Sequence, residues 1–159
     1  MIKADEGCAK LNPDGTLAAY RDSRGVWTIG YGCNLIARGL TPALAEAARW
    51  TMQQAEDAFD VDFDRCLAGL DHNFPGWPSL APARQAVAVS AMYVLGVAKV
   101  LEFAPTIKLI TDHDYEGAAR HMEACAWARQ APQRVERLAA MMRAGTWPET
   151  STATPNTTE

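Results

Sequence analysis

One change of rhythm constrains this chain more than any other feature. The only convincing β pattern lies between residues 16 and 31, and every periodic stretch beyond residue 41 has helical spacing. Thr16-Leu-Ala-Ala-Tyr20 and Val26-Trp-Thr-Ile-Gly-Tyr31 are rich in β-branched and aromatic residues, and Arg21-Asp-Ser-Arg-Gly25 joins them, the pattern of a hairpin. Asn12-Pro-Asp-Gly15, just ahead, is a turn. Thr41-Pro42 opens a helix that runs to about Arg49, with threonine as N-cap and proline in the first helical position. Thr51 caps a longer helix, with Ala55, Ala58, Phe59, Phe63, Cys66, Leu67 and Leu70 on one stripe and acids on the other side. Past a breaker-rich loop at 73–79, Pro82 to Leu95 is nearly all apolar and reads as the buried centre of a helical lobe. Shorter helices are expected near 2–10, 105–112, 114–125 and 132–143.

The expected fold is therefore α+β and mostly helical, with a small N-terminal lobe around one hairpin and a larger all-helical lobe. Residues 1–148 are expected to form a single domain: about 11–50 the β-containing lobe, about 51–72 a connecting helix, and about 80–148 the helical lobe with the N-terminal helix packed near it. Residues 149–159 are polar and expected to be disordered. A cleft between two such lobes suits a polymer substrate.

Composition removes several classes of function. With 159 residues, 48% hydrophobic and 21% charged, the chain can bury a sizeable core and is not a disordered protein. No apolar run reaches the roughly 18 to 20 residues of a membrane span, so stable membrane insertion is not expected. The net charge of −4 divides into −4 over residues 1–83, +2 over 84–147 and −2 in the last twelve, which argues against nucleic acid as partner. Cys8, Cys33, Cys66 and Cys125 lack CxxC spacing, and His72, His113 and His121 lack ligand spacing, so neither metal nor cofactor is expected. The acids Glu56, Asp57, Asp60, Asp62 and Asp64 read as the wet face of their helix.

The chemistry is carried by a scattered pattern: Asp5-Glu6-Gly7, then Tyr20-Arg-Asp22, then Gly25, then Trp27-Thr-Ile-Gly-Tyr-Gly32. It resembles the active-site segment of the phage lysozymes of the T-even type, glycoside hydrolase family 24. The second half agrees through Arg84-Gln-Ala-Val, the apolar run ending at Gly96, Phe103, Cys125-Ala-Trp-Ala-Arg-Gln130, Arg134, and Arg137-Leu-Ala-Ala-Met-Met-Arg-Ala-Gly-Thr-Trp147. The resemblance implies a muramidase that cleaves, with inversion, the β-1,4 bond between N-acetylmuramic acid and N-acetylglucosamine in the glycan strands of peptidoglycan. It implies Glu6 as general acid, Asp22 as the carboxylate across the scissile bond, and Thr28 as a holder of the attacking water. Those residue types suit the reaction: a glycosidic oxygen leaves only if a proton is delivered to it, and a carboxylate steadies the oxocarbenium-like transition state while orienting water. Arg134, Trp27, Tyr31, Ser90 and Val94 are implied as substrate-binding or supporting residues. Burial would keep the proton on Glu6 and the Arg134 cation would remove it. The resemblance further implies a monomer, made in a host cytoplasm without a signal peptide and acting on the periplasmic wall after holin-type release or as part of a virion.

Three departures from the family pattern matter. Fifteen residues separate Glu6 from Asp22, a longer spacer than usual, placed around Asn12-Pro-Asp-Gly15. Cys33 stands where the family often has His or Arg, which leaves Asp62 without its expected partner. Ser90 and Val94 stand where amide side chains usually face the cleft, and Val94 cannot hydrogen-bond an acetamido group. Two other readings follow from these departures, a cell-wall-binding module of the same fold that has lost turnover, and a hydrolase of another aminosugar polymer such as chitin.

Overall fold

The computed structural model describes residues 1–3, 11–22, 25–96 and 103–148. Within these the protein is mostly helical, with small antiparallel sheets confined to the N-terminal part. The expected segments at 4–10, which include Asp5, Glu6, Gly7 and Cys8, and the tail at 149–159 lie outside the described residues; Ile2 and Lys3 are helical.

The β region is more divided than its sequence pattern. Residues 16–20 do not make one strand: β1 (Leu17–Ala18) pairs with β5 (Arg49–Trp50), whereas β2 (Tyr20–Arg21) pairs with β3 (Trp27–Ile29). β4 (Cys33–Asn34) adds a third strand beside β3, and the intervening α1 (Pro42–Ala47) is shorter than expected because Arg49 joins β5. The hairpin is thus not the only β structure. Two-residue strands are made by their distant partners, and a local pattern does not announce them.

The described part of the long spacer turns back on itself between Asn12 and Thr16. The Asn12 amide donates to the Thr16 carbonyl at 2.7 Å and the Gly15 amide to the Asn12 carbonyl at 2.9 Å, while the Asp14 carboxylate accepts from the amide and hydroxyl of Thr16. These two bonds from Thr16 hold the Asp14 carboxyl below its ordinary value. Leu17, next in sequence, is fully buried.

α2 (Met52–Asn73) spans about 33 Å at 1.5 Å per residue. Thr51 and Gln54 close a reciprocal capping box at its start. Its first half gives Ala55 and Ala58 to the β-region core of Leu17, Ile29, Cys33, Leu35 and Ala45; farther along, Cys66 and Leu70 pack on Val89 and Met92. α3 (Pro82–Leu95) runs with the expected bounds, from proline at its first turn to Gly96 at its end. It packs in the largest core beside α4 (Ala104–Thr111), α5 (Tyr115–Ala124), α6 (Ala126–Gln130) and α7 (Pro132–Ala144). The short α6 was not foreseen.

Two motifs set apart in the sequence meet here. The Arg84 guanidinium lies 3.5 Å from the Tyr115 ring centre and donates to the Met142 and Arg143 carbonyls, closing the end of α7. Cys33, Cys66 and Cys125 carry free thiols, and burial pushes that of Cys66 up to about 11.

Candidate active site

The β2–β3 hairpin brings Asp22 and Thr28 together. Tyr20 stands opposite Thr28 and Arg21 opposite Trp27, so Asp22 is next in register, opposite Val26. The Asp22 amide donates to the Val26 carbonyl at 3.0 Å, and the Val26 amide returns a bond to the Asp22 carboxylate at 2.8 Å. The Gly25 amide closes the turn on the Asp22 carbonyl at 2.9 Å. Side chains two apart share a face, which places Asp22 and Thr28 on one face at diagonal positions, roughly 7–8 Å apart.

Thr28 occupies the central strand, paired with Tyr20 on one side and Asn34 on the other, and is 4% exposed. Its hydroxyl donates to the Val26 carbonyl at 3.1 Å. A hydroxyl has one hydrogen, so with that hydrogen committed Thr28 can only accept from a further partner.

The other expected residues divide. Strand alternation sends Trp27 to the opposite face from Thr28, where the Arg21 guanidinium covers its ring at 4.6 Å and its buried indole N–H has no partner among the described residues. Tyr31 turns its hydroxyl to the Glu56 carboxylate at 2.6 Å, and its carbonyl accepts from the Tyr93 hydroxyl at 2.9 Å. Ser90 is 2% exposed with an unpartnered hydroxyl among the described residues, and Val94 packs against the helical core. Arg134 lies half-buried in the first turn of α7. Glu6 lies outside the described residues.

The acidic run of α2 needs correction at two positions. Asp57, Asp60 and Asp64 are exposed as expected, but Asp62 takes the Arg38 guanidinium at 3.0 Å and Arg65 at 3.3 Å. Arg38 also donates to the Ala58 carbonyl at 3.2 Å, so a cation five residues beyond Cys33 supplies the partner that Cys33 cannot. Burial pushes the Cys33 thiol up, which leaves it a neutral packing group. Glu56 accepts from both Lys3 and Tyr31; these bonds, Lys3 first, hold its carboxyl below the ordinary value. The sequence places Glu56 with its solvated neighbours, and no local signal there announces these two partners.

A family model described as phage lysozyme matches residues 12–143. The chain belongs to the phage lysozyme family. The match contains Asp22, Trp27, Thr28, Tyr31, Ser90, Val94 and Arg134, and begins six residues after Glu6. A protein of Dictyostelium discoideum, named as a probable T4-type lysozyme, is 25% identical over 166 aligned positions, which cover 92% of this chain and 93% of that one. Mostly helical structure with a small antiparallel region near the N-terminus is consistent with the lysozyme-like fold of this family of glycoside hydrolases. No helix among the described residues is long and apolar enough to cross a membrane.

Proposed function

We propose that the protein is a peptidoglycan muramidase that hydrolyses the β-1,4 bond between N-acetylmuramic acid and N-acetylglucosamine with inversion, serving phage lysis as a free endolysin or as a virion-borne lysozyme. The observation that supports this best is the shared face of Asp22 and Thr28, on a hairpin held by backbone hydrogen bonds within the family-matched span. Glu6 delivers its proton to the glycosidic oxygen as the bond breaks. A water between Asp22 and Thr28 donates one hydrogen to the Thr28 oxygen and the other to the Asp22 carboxylate. Its lone pair then faces the anomeric carbon from the side opposite the leaving group. Asp22 takes up the proton as the water adds, and the product anomer is inverted. Val94 offers no hydrogen bond to an acetamido group, so that contact falls to other residues.

The test is release of reducing ends from purified Gram-negative peptidoglycan, with proton NMR of the first product anomer. Native protein should release muramic-acid ends of α configuration. Glu6→Gln, which keeps size and hydrogen bonding but has no acidic proton, should lose at least about 100-fold in rate. Undiminished release by Glu6→Gln removes Glu6 from its role. Wall binding without release by native protein replaces the enzyme with a binding module, and release from chitin alone changes the substrate.

A further inference from the structure

We propose that Asn34 is a specificity-determining residue whose side-chain amide donates to the acetamido carbonyl of the sugar bound beside Asp22 and Thr28; this rests on the muramidase reading given above. The β3–β4 register sets Asn34 directly opposite Thr28, and Tyr20 stands opposite Thr28 on the other side. Residues directly opposite share a face of the sheet, so Tyr20, Thr28 and Asn34 form one row, with Asp22 two residues along from Tyr20. The other face is the packed one, where Ile29 and Cys33 pair and join Leu35 in the β-region core. Of the strand residues on the Asp22–Thr28 face, Asn34 alone carries an amide side chain.

Local bonding decides what that amide can do. Its Oδ1 accepts from the Ala37 amide at 2.9 Å, so the side-chain oxygen is spent on the turn after β4. That bond also tells the oxygen from the nitrogen, and no described residue accepts from Nδ2. At a strand spacing of about 4.8 Å, Asn34 lies about 5 Å from Thr28 and roughly 12 Å from Asp22. It is too far from Asp22 to share the proposed water, and close enough to Thr28 to meet a substituent of the sugar held there. A sugar hydroxyl both gives and takes a hydrogen bond, whereas an acetamido carbonyl only accepts. An uncharged donor at this place therefore favours an N-acetylated sugar over its free-amine counterpart, whose ammonium has nothing to accept with.

The experiment measures kcat, KM and Tm for native protein, Asn34→Leu, Asn34→Asp and Asp22→Asn. The substrates are soluble glycan strands, the same strands after de-N-acetylation, and a portion re-acetylated with acetic anhydride. Asn34→Leu keeps the size of the side chain, Asn34→Asp keeps an acceptor for the Ala37 amide, and both lack the donor. Each variant should lose about fivefold in kcat/KM on N-acetylated and re-acetylated strands, and the loss should shrink to within about twofold on de-N-acetylated strands. Tm of Asn34→Asp should stay within about 3 °C of native, so that variant answers the question if Asn34→Leu does not fold. Equal losses on both kinds of strand make Asn34 a support of its turn and overturn the proposal, as does native kcat/KM in both variants. Undiminished release by Asp22→Asn removes the site beside which Asn34 is placed. Absence of release by native protein from any strand ends the muramidase reading itself, and Asn34 then has no sugar to select.

Discussion

The β region and the helical region are held by different forces. Around the hairpin, fixed positions come from hydrogen bonds: Asp22 to Val26 in both directions, Thr28 to the Val26 carbonyl, and Asp14 to Thr16. Its buried core among the described residues is seven side chains, three of them alanine. The helical core holds thirteen, including Leu138, Met141, Met142, Val135 and Trp127. Directional bonds set side-chain geometry at little cost in buried area, whereas apolar packing supplies stability with little control over where a polar group points. The proposed water-holding pair sits where geometry is specified, and the packing that keeps the chain folded sits elsewhere.

That separation can be broken from either side. The largest effect is expected from Asp22→Asn, which retains an acceptor for the Val26 amide but has no carboxylate; turnover should fall by about 100-fold or more while Tm barely moves. A matched loss of Tm would mean that Asp22 holds the turn and does no chemistry. Leu138→Ala, in the helical core, should do the reverse, costing about 2–5 kcal/mol in urea unfolding with unchanged turnover per folded molecule. Gly30→Ala lies where the hairpin's exit meets α2: φ is +60°, and an added Cβ would stand 2.9 Å from that of Ala55. Pushing the hairpin off α2 should cost about 1–3 kcal/mol and also lower kcat, so a variant that loses only stability would show the contact to be irrelevant to the site.

How much of this was legible in the sequence depends on how local its cause is. Helix starts were, because Thr51 and Pro82 act within a turn of themselves. The hairpin and the turn at Asn12 were legible for the same reason. Strand β5 was not, since Arg49 and Trp50 are extended only by pairing with Ala18 and Leu17. Glu56 and Asp62 looked like their wet neighbours Asp57 and Asp60, because helical periodicity reports the face of a residue and not which distant cation will reach it. Trp27 and Thr28 are neighbours in one strand and face opposite ways by alternation alone, whereas which of those faces Asp22 shares depends on the β2–β3 register.

The smallest expected effect concerns the surface of the helical region. Arg143 donates to both oxygens of Glu123 at 2.8 and 2.7 Å and to Glu116 at 3.0 Å. The bond from Arg143 holds the Glu123 carboxyl below its ordinary value of 4.5. A depressed carboxyl contributes stability above that ordinary value and loses it as pH falls through the lower folded value. Glu123→Gln should therefore lower Tm slightly at neutral pH, and the difference from native should vanish as pH falls through the lowered folded value. A difference that persists in acid would assign the effect to packing.

The pairing of Arg38 with Asp62 has a consequence for the pH range over which this contact holds. A histidine tied to Asp62 would surrender its proton, and with it the attraction, as conditions turn mildly alkaline. Arg38 has no such release, because a guanidinium stays charged throughout the range in which proteins remain folded. The strap between the loop after β4 and the middle of α2 therefore keeps its cation on the alkaline side, where a histidine strap would slacken.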